Sequence, residues 1–230
     1  MPAQAQHLLA LSAKTQTDLK KARDDLLHYL KENPNLNLAD VAYSCQISQE
    51  NYAYRFMVVC KDRDDAISAL KANDSRRVFT SHWQGRQRPV VFMFPAGFPL
   101  KYPNLGLTLY LTEPTFQEYV DICAQLLIPQ LGFDIRDILF PTPKNANLAT
   151  QQLQKASIFI PIVFVLEYAL SRLWMSWGIQ PNTMIGYSLG EYTAACLAGV
   201  IPLEDILPIV ALGGRLLEKL PPDLPDLLQC

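Results

Sequence analysis

The sequence predicts an α/β protein in two parts, a small α+β unit followed by a doubly wound sheet, and three stretches carry the prediction. Tyr52 to Lys61 alternates Tyr54, Phe56, Val58 and Cys60 with Arg55, Met57, Val59 and Lys61, the period of a half-buried strand. Val90-Val91-Phe92-Met93-Phe94 is apolar without alternation and stops at Pro95, as a strand covered on both faces does. Met184-Ile185-Gly186-Tyr187-Ser188-Leu189-Gly190-Glu191 reaches a serine between two glycines and passes at once into helical spacing. It reads as strand, sharp turn and helix with Ser188 at the corner.

The elements between these landmarks follow from spacing and end signals. Thr15 or Thr17 caps a helix running to about Glu32, with Leu19, Ala22, Leu26 and Leu30 on one face and Asn33-Pro34 as the stop. Asn37 begins a short helix holding Leu38, Val41 and Ala42. Helical spacing returns over Asp62 to Ala72, and Arg76 to Trp83 is a further strand. The polar run Gly85-Arg86-Gln87-Arg88-Pro89 is the domain boundary, giving units 1–88 and 89–230. After it, Thr112 caps a helix with Pro114 in its first turn and Phe116, Val120, Cys123 and Leu127 inward, and Gly132 ends it. Gln151 to Trp177 reads as one long helix, apolar nearly all round between Ile158 and Leu166 and closed by Gly178. A last helix runs from Leu203 to about Leu220. Pro208 and the pair Gly213-Gly214 weaken it by roughly 3 kcal/mol and about 1 kcal/mol each relative to alanine, which predicts a kink or break near Leu207.

Composition excludes several function classes. The net charge of −2, with both signs interspersed, gives no footprint for nucleic acid and no basic patch for a membrane surface. The longest apolar run is interrupted by Pro161 and stopped by Glu167, so no bilayer span is expected. The opening Met1-Pro2-Ala3-Gln4 lacks the basic and apolar regions of a signal peptide. Five widely spaced cysteines, mostly within apolar runs, read as buried thiols, and the expected compartment is a reducing cytoplasm. Asp62-Arg63-Asp64-Asp65 reads as a helix start favoured by the dipole rather than a metal site. Trp174 and Trp177 read as core and interface packing rather than a cofactor box, Met184 and Cys196 beside the corner read as packed, and Cys230 lacks any prenylation spacing.

Chemistry concentrates at Ser188. A residue strained at the top of a turn needs neighbours without a Cβ, which Gly186 and Gly190 provide. The helix N-terminus behind it, beginning with the Leu189 N–H, offers unpaired donors to a developing oxyanion. The pattern alone is weak, since about one chain in ten of this length carries it by chance.

The wider sequence resembles the acyltransferase domains of modular polyketide synthases, relatives of malonyl-CoA:acyl-carrier-protein transacylase. The resemblance runs through Gly186-Tyr187-Ser188-Leu189-Gly190-Glu191-Tyr192-Thr193-Ala194-Ala195-Cys196-Leu197-Ala198-Gly199-Val200. It includes Glu167-Tyr168-Ala169-Leu170, Leu173 to Gly178, Thr112 to Phe116 and Val90 to Pro95. The front unit, with Leu11-Ser12-Ala13-Lys14, Leu38 to Tyr43 and Arg55 to Val59, is similar to the linker joining ketosynthase to acyltransferase. The resemblance implies that residues 89–230 are the N-terminal part of a doubly wound, hydrolase-like acyltransferase core, ending before an inserted subdomain and later strands. It implies Ser188 as nucleophile and the Leu189 N–H as oxyanion donor. The substrates implied are acyl-CoA and a phosphopantetheinyl carrier protein, with no bound cofactor or metal. A ketosynthase or a complementary acyltransferase fragment is the implied partner.

Several positions depart from the pattern. The family's catalytic base is a histidine downstream of the serine, whereas His7, His28 and His82 all precede Ser188. An oxyanion loop containing glutamine is replaced by Pro95-Ala96-Gly97-Phe98-Pro99-Leu100. The arginine that pairs a malonyl carboxylate aligns with Gly213, the histidine before the serine with Tyr187, and a pocket glutamine with Ile160. This implies an apolar pocket and a chain inactive by itself: one segment of a split acyltransferase, a truncated remnant of one, or a non-catalytic docking module. An unrelated serine hydrolase would need a histidine after the nucleophile, and none follows.

Overall fold

The computed structural model describes residues 6–47, 50, 52–72, 76–83, 85, 88–97 and 99–220, so Phe98 and Cys230 lie outside the described residues. The chain divides into two compact units, residues 1–88 and 89–230.

The first unit is an antiparallel sheet with helices on one face. Its strands are β1 (His7–Ala13), β2 (Tyr54–Cys60) and β3 (Val78–His82), in the order β1-β2-β3. Register places Leu9 opposite Val58, Leu11 opposite Phe56 and Val58 opposite Val78, all buried. The helices are α1 (Gln16–Glu32), α2 (Leu38–Ile47) and α3 (Arg63–Ala72). They contribute Leu19, Leu26, Leu30, Leu38, Ala66 and Leu70 to the same core. Of the two threonines at the start of α1, Thr15 is the cap, its hydroxyl accepting from the Asp18 N–H at 3.1 Å. Strand β1 was not foreseen. In Leu8-Leu9-Ala10-Leu11 both faces are apolar, so no alternation announces it, and pairing with β2 decides the conformation.

The second unit is built around one helix. Its elements are β4 (Val91–Phe94), α4 (Leu107–Thr112), α5 (Pro114–Leu131), α6 (Ile135–Leu139), α7 (Ala146–Gln152), α8 (Ala156–Ser176), β5 (Thr183–Gly186), α9 (Leu189–Leu197) and α10 (Leu203–Glu218). Helix α8 packs against α5, α9 and α10, and Ile162, Phe164, Val165 and Ala169 are fully buried. Each large apolar side chain so buried contributes about 2 kcal/mol, which makes α8 the main support of this unit. By length and composition α8 could cross a membrane, yet most of it is buried within the unit. Gly178, at φ +87°, turns the chain out of α8, and the Ile179 N–H closes the turn on the Trp174 carbonyl at 3.1 Å. Asn182 then aligns the two strands. Its side-chain oxygen accepts from the Val90 N–H, and its own N–H donates to the Val90 carbonyl, both at 2.8 Å. Strands β4 and β5 run parallel, with Val91 opposite Thr183 and Phe94 opposite Gly186.

Five expectations for this unit need correction. Strand β4 is covered on one face only among the described residues, with Val91 46% and Met93 74% exposed, because it pairs with β5 alone in a two-stranded sheet. The single helix from Gln151 to Trp177 is two, because the chain turns at Leu153 to Lys155 and Lys155 caps α8 in an extended conformation. Thr112 closes α4 by donating its hydroxyl to the Thr108 carbonyl at 2.8 Å, and Glu113 takes the cap position before Pro114. Helix α10 does not break at Pro208, because Ile206, Leu207, Val210 and Ala211 are buried and α10 packs along α8. Trp174 and Trp177 pack edge to face at 5.3 Å, but they are 45% and 53% exposed and form no part of the core.

Candidate active site

The corner between β5 and α9 holds Ser188 at φ +54° and ψ −115°, in the left-handed half of backbone space that side chains avoid. Such strain costs on the order of 1–3 kcal/mol and persists only where the surroundings fix it. Here they do. The Tyr187 N–H donates to the Phe94 carbonyl at 3.0 Å, and the N–H groups of Gly190 and Glu191 donate to the carbonyls of Tyr187 and Ser188, each at 3.1 Å. A Cβ on Gly186 would lie 2.3 Å from the Glu191 nitrogen, so only glycine permits the crossing.

Ser188 is exposed and its hydroxyl makes no capping bond to α9, so the oxygen is free for a ligand. Leu189 opens α9, and its N–H has no acceptor among the described residues. The loop after β4 comes close to it. A Cβ on Gly97 would lie 2.6 Å from Leu189 Cδ2 and 3.6 Å from Ile160 Cγ1. Ile160, Leu189 and Gly97 therefore meet beside the Ser188 corner.

The other expected positions are less engaged. Tyr187 is 58% exposed. Gly213 lies on the exposed side of α10 with no heavy atom within 4 Å of a would-be Cβ, so nothing among the described residues closes a pocket over it. Arg215 turns instead to the end of α5, donating to the Gln130 carbonyl at 2.7 Å. All three histidines belong to the first unit: His7 in β1, His28 paired with Glu32 on α1, and His82 stacked on Tyr54. No cluster of metal-ligating side chains occurs among the described residues.

Behind the corner is a residue whose role sequence reasoning missed. Glu167 of α8 accepts from the Thr193 hydroxyl of α9 at 2.7 Å. Burial pushes the Glu167 carboxyl up to about 7, against the opposing effect of that bond. A lone glutamate closing the apolar run of α8 was the available signal. The thiol of Cys196, also on α9, is raised by burial to about 11 and is no nucleophile near neutral pH.

A strand, a serine at positive φ and a helix whose first N–H is free make a strand–turn–helix corner within an α/β fold. Residues 102–223 match the family described as acyl transferase domain, and the chain belongs to that family. Residues 7–70 match the family described as CurL-like, PKS C-terminal. Among curated proteins, the chain is 34% identical over 92% of its length to the non-reducing polyketide synthase hmp3 of Hypomyces subiculosus. It is 31% identical over 92% to the orsellinic acid synthase armB of Armillaria mellea. It spans 10% and 9% of those proteins. Among solved structures, the acyl transferase domain of ZmaA superposes with a TM-score of 0.88 at 37% identity, over 95% of this chain and 50% of that one. That of SpnD, in complex with 2-(pent-4-yn-1-yl)malonyl, gives 0.75 at 34%, over 92% and 48%. The chain is thus part of an acyltransferase domain of the polyketide synthase type, about half the length of the solved examples.

Proposed function

We propose that Ser188 carries an acyl group between coenzyme A and the pantetheine thiol of a carrier protein, with a proton acceptor supplied by polypeptide outside these 230 residues. The observation that supports this reading is the exposed Ser188 at φ +54°, beside the unpartnered Leu189 N–H. In the first half-reaction the hydroxyl gives its proton to the base as its oxygen bonds to the thioester carbonyl carbon. The Leu189 N–H donates to the resulting oxyanion, the carbon–sulfur bond breaks, and the coenzyme thiolate takes the proton. The second half-reaction reverses these steps with the carrier thiol as nucleophile. With no histidine after Ser188, the chain alone has no such acceptor and is inactive. Ile160, an apolar side chain that meets Gly97 beside Leu189, favours a neutral acyl group, since a carboxylate buried without a partner costs several kcal/mol.

The test is intact mass spectrometry of the chain with acetyl-CoA and malonyl-CoA, alone and with the C-terminal half of a related acyltransferase added, using Ser188→Ala as control. We expect no adduct on the chain alone and an acetyl adduct on Ser188 with the added half. An adduct on the chain alone overturns the inactivity, and no adduct in either mixture overturns the transfer. A larger malonyl yield overturns the neutral preference.

A second reading, docking without catalysis, is favoured by the apolar surface of Val91, Met93 and Ile185, all about half exposed or more. Its partner is a ketosynthase or the complementary acyltransferase half. Capture of either that survives Ser188→Ala, with no adduct in any mixture, would select it.

A further inference from the structure

The helix that begins at Ser188 is seated at two points. At its first turn Gly190 lies against the Phe94 carbonyl, with no space for a Cβ. One turn further, the fully buried Thr193 donates its hydroxyl to Glu167 Oε2 at 2.7 Å. The other carboxyl oxygen, Oε1, is buried and has no hydrogen-bond partner among the described residues. Glu167 also lines an apolar cavity of about 710 Å³ walled by Val91, Phe92, Met93, Phe116, Leu170 and Trp174. A carboxyl here is costly: packing alone would place a leucine on this wall, and a hydrogen bond alone would need only a glutamine.

We propose that Glu167 is a positioning residue for Ser188: through Thr193 it fixes where α9, and with it the nucleophile corner, sits on the sheet. The inference rests on the reading of Ser188 as the acylated residue. A strained corner keeps its geometry only while its helix is held, and this tie is the polar one of the two seats. It also responds to a proton. Ionisation strengthens the Thr193 bond but leaves a charged Oε1 without a donor in this apolar wall; the burial penalty is the larger effect, so raising the pH favours release of the carboxyl and loosens α9. No charged group on α5, α9, α10 or β4 enters the balance at Glu167, which is set by burial and the Thr193 bond. The nearby ionisable groups, Tyr119 and Cys123 of α5, Arg172 of α8 and Cys196 of α9, act on Tyr168.

The test is amide hydrogen exchange over Leu189–Leu197 in the 230-residue chain, at about pH 6 and about pH 8, corrected for the intrinsic pH dependence with α5 as internal reference. In the wild type the opening of α9 is expected to rise about tenfold between the two values. Glu167→Gln keeps the acceptor without the charge, so its opening should stay flat and low. Thr193→Val removes the tie and should open α9 at both values. Equal pH profiles for wild type and Glu167→Gln, or an unaffected α9 in Thr193→Val, would overturn the proposal. Exchange needs no acyl transfer, so an α9 response without any Ser188 adduct refutes the acyltransferase reading alone. An adduct without the response refutes the positioning role alone.

Discussion

A Cβ on Gly190 would lie 2.3 Å from the carbonyl oxygen of Phe94, closer than two such atoms approach. The Gly190 backbone is in helical space, so packing and not dihedral freedom requires glycine there. Since Phe94 is held by the Tyr187 N–H at 3.0 Å, the strand cannot move aside without releasing the corner. Gly190→Ala is expected to destabilise the second unit by about 3 kcal/mol, measured by urea unfolding. Loss of less than about 1 kcal/mol would mean that β4 and α9 separate freely.

Arg136 joins two elements through Asp134 at 2.6 Å and Asp121 at 2.6 Å. Its guanidinium holds the Asp134 carboxyl below the usual carboxylate range, and the Arg136 N–H adds to the effect. A depressed folded-state value means that the stability is present above the unfolded value, about 3.9, and lost as pH falls through the lower folded one. Asp134→Asn should therefore cost about 1–2 kcal/mol near neutral pH, and the difference from wild type should shrink toward about pH 3. Denaturant midpoints across that range provide the check.

The parts of this molecule that could be read from the chain are those whose reasons are local. Thr15 caps α1 because a short hydroxyl side chain can reach the Asp18 N–H, and Gly132 ends α5 because it takes φ +79°. The Ser188 corner is legible for the same reason, since both its glycines lie two residues from it in sequence. The nearness of the loop holding Gly97 to Leu189 came only from the family resemblance, because it depends on how two segments distant in the chain meet. The pairing of Glu167 with Thr193, which lie 26 residues apart on different helices, was not legible. The continuity of α10 through Pro208 shows burial outweighing a local penalty of about 3 kcal/mol, and no local rule contains that term.

Glu167 gives the second unit a pH-dependent stability of opposite sign to Asp134. Its folded value is about 7, against about 4.3 for a solvated glutamate, so the folded state holds the proton more tightly than the unfolded chain. The stability from the neutral carboxyl is complete below the unfolded value and is lost as pH rises through the folded one. Glu167→Gln should melt close to wild type at about pH 4 and above it at about pH 8. Parallel melting curves across this range would place the carboxyl in solvent.

Gly213 and Gly214 are neighbours on α10 and should respond oppositely to the same change. A Cβ on Gly213 meets nothing within 4 Å, so alanine there gains helix propensity without a contact to lose. A Cβ on Gly214 would lie 2.7 Å from the Ala156 carbonyl oxygen and 3.1 Å from the Ser157 Cα, where α10 crosses the start of α8. Both of those atoms are backbone and belong to the first turn of a buried helix, so neither yields as a flexible side chain would. Gly213→Ala is expected to stabilise the second unit by about 1 kcal/mol, the difference between glycine and alanine in a helix interior. Gly214→Ala should destabilise it by about 2 kcal/mol, because the strain of separating α10 from α8 exceeds the same propensity gain. Urea unfolding of the two single variants and the double variant separates the effects. Stabilisation by both substitutions would show that α10 does not pack on α8 at this distance, and the α8 core would then lose its closest helical neighbour.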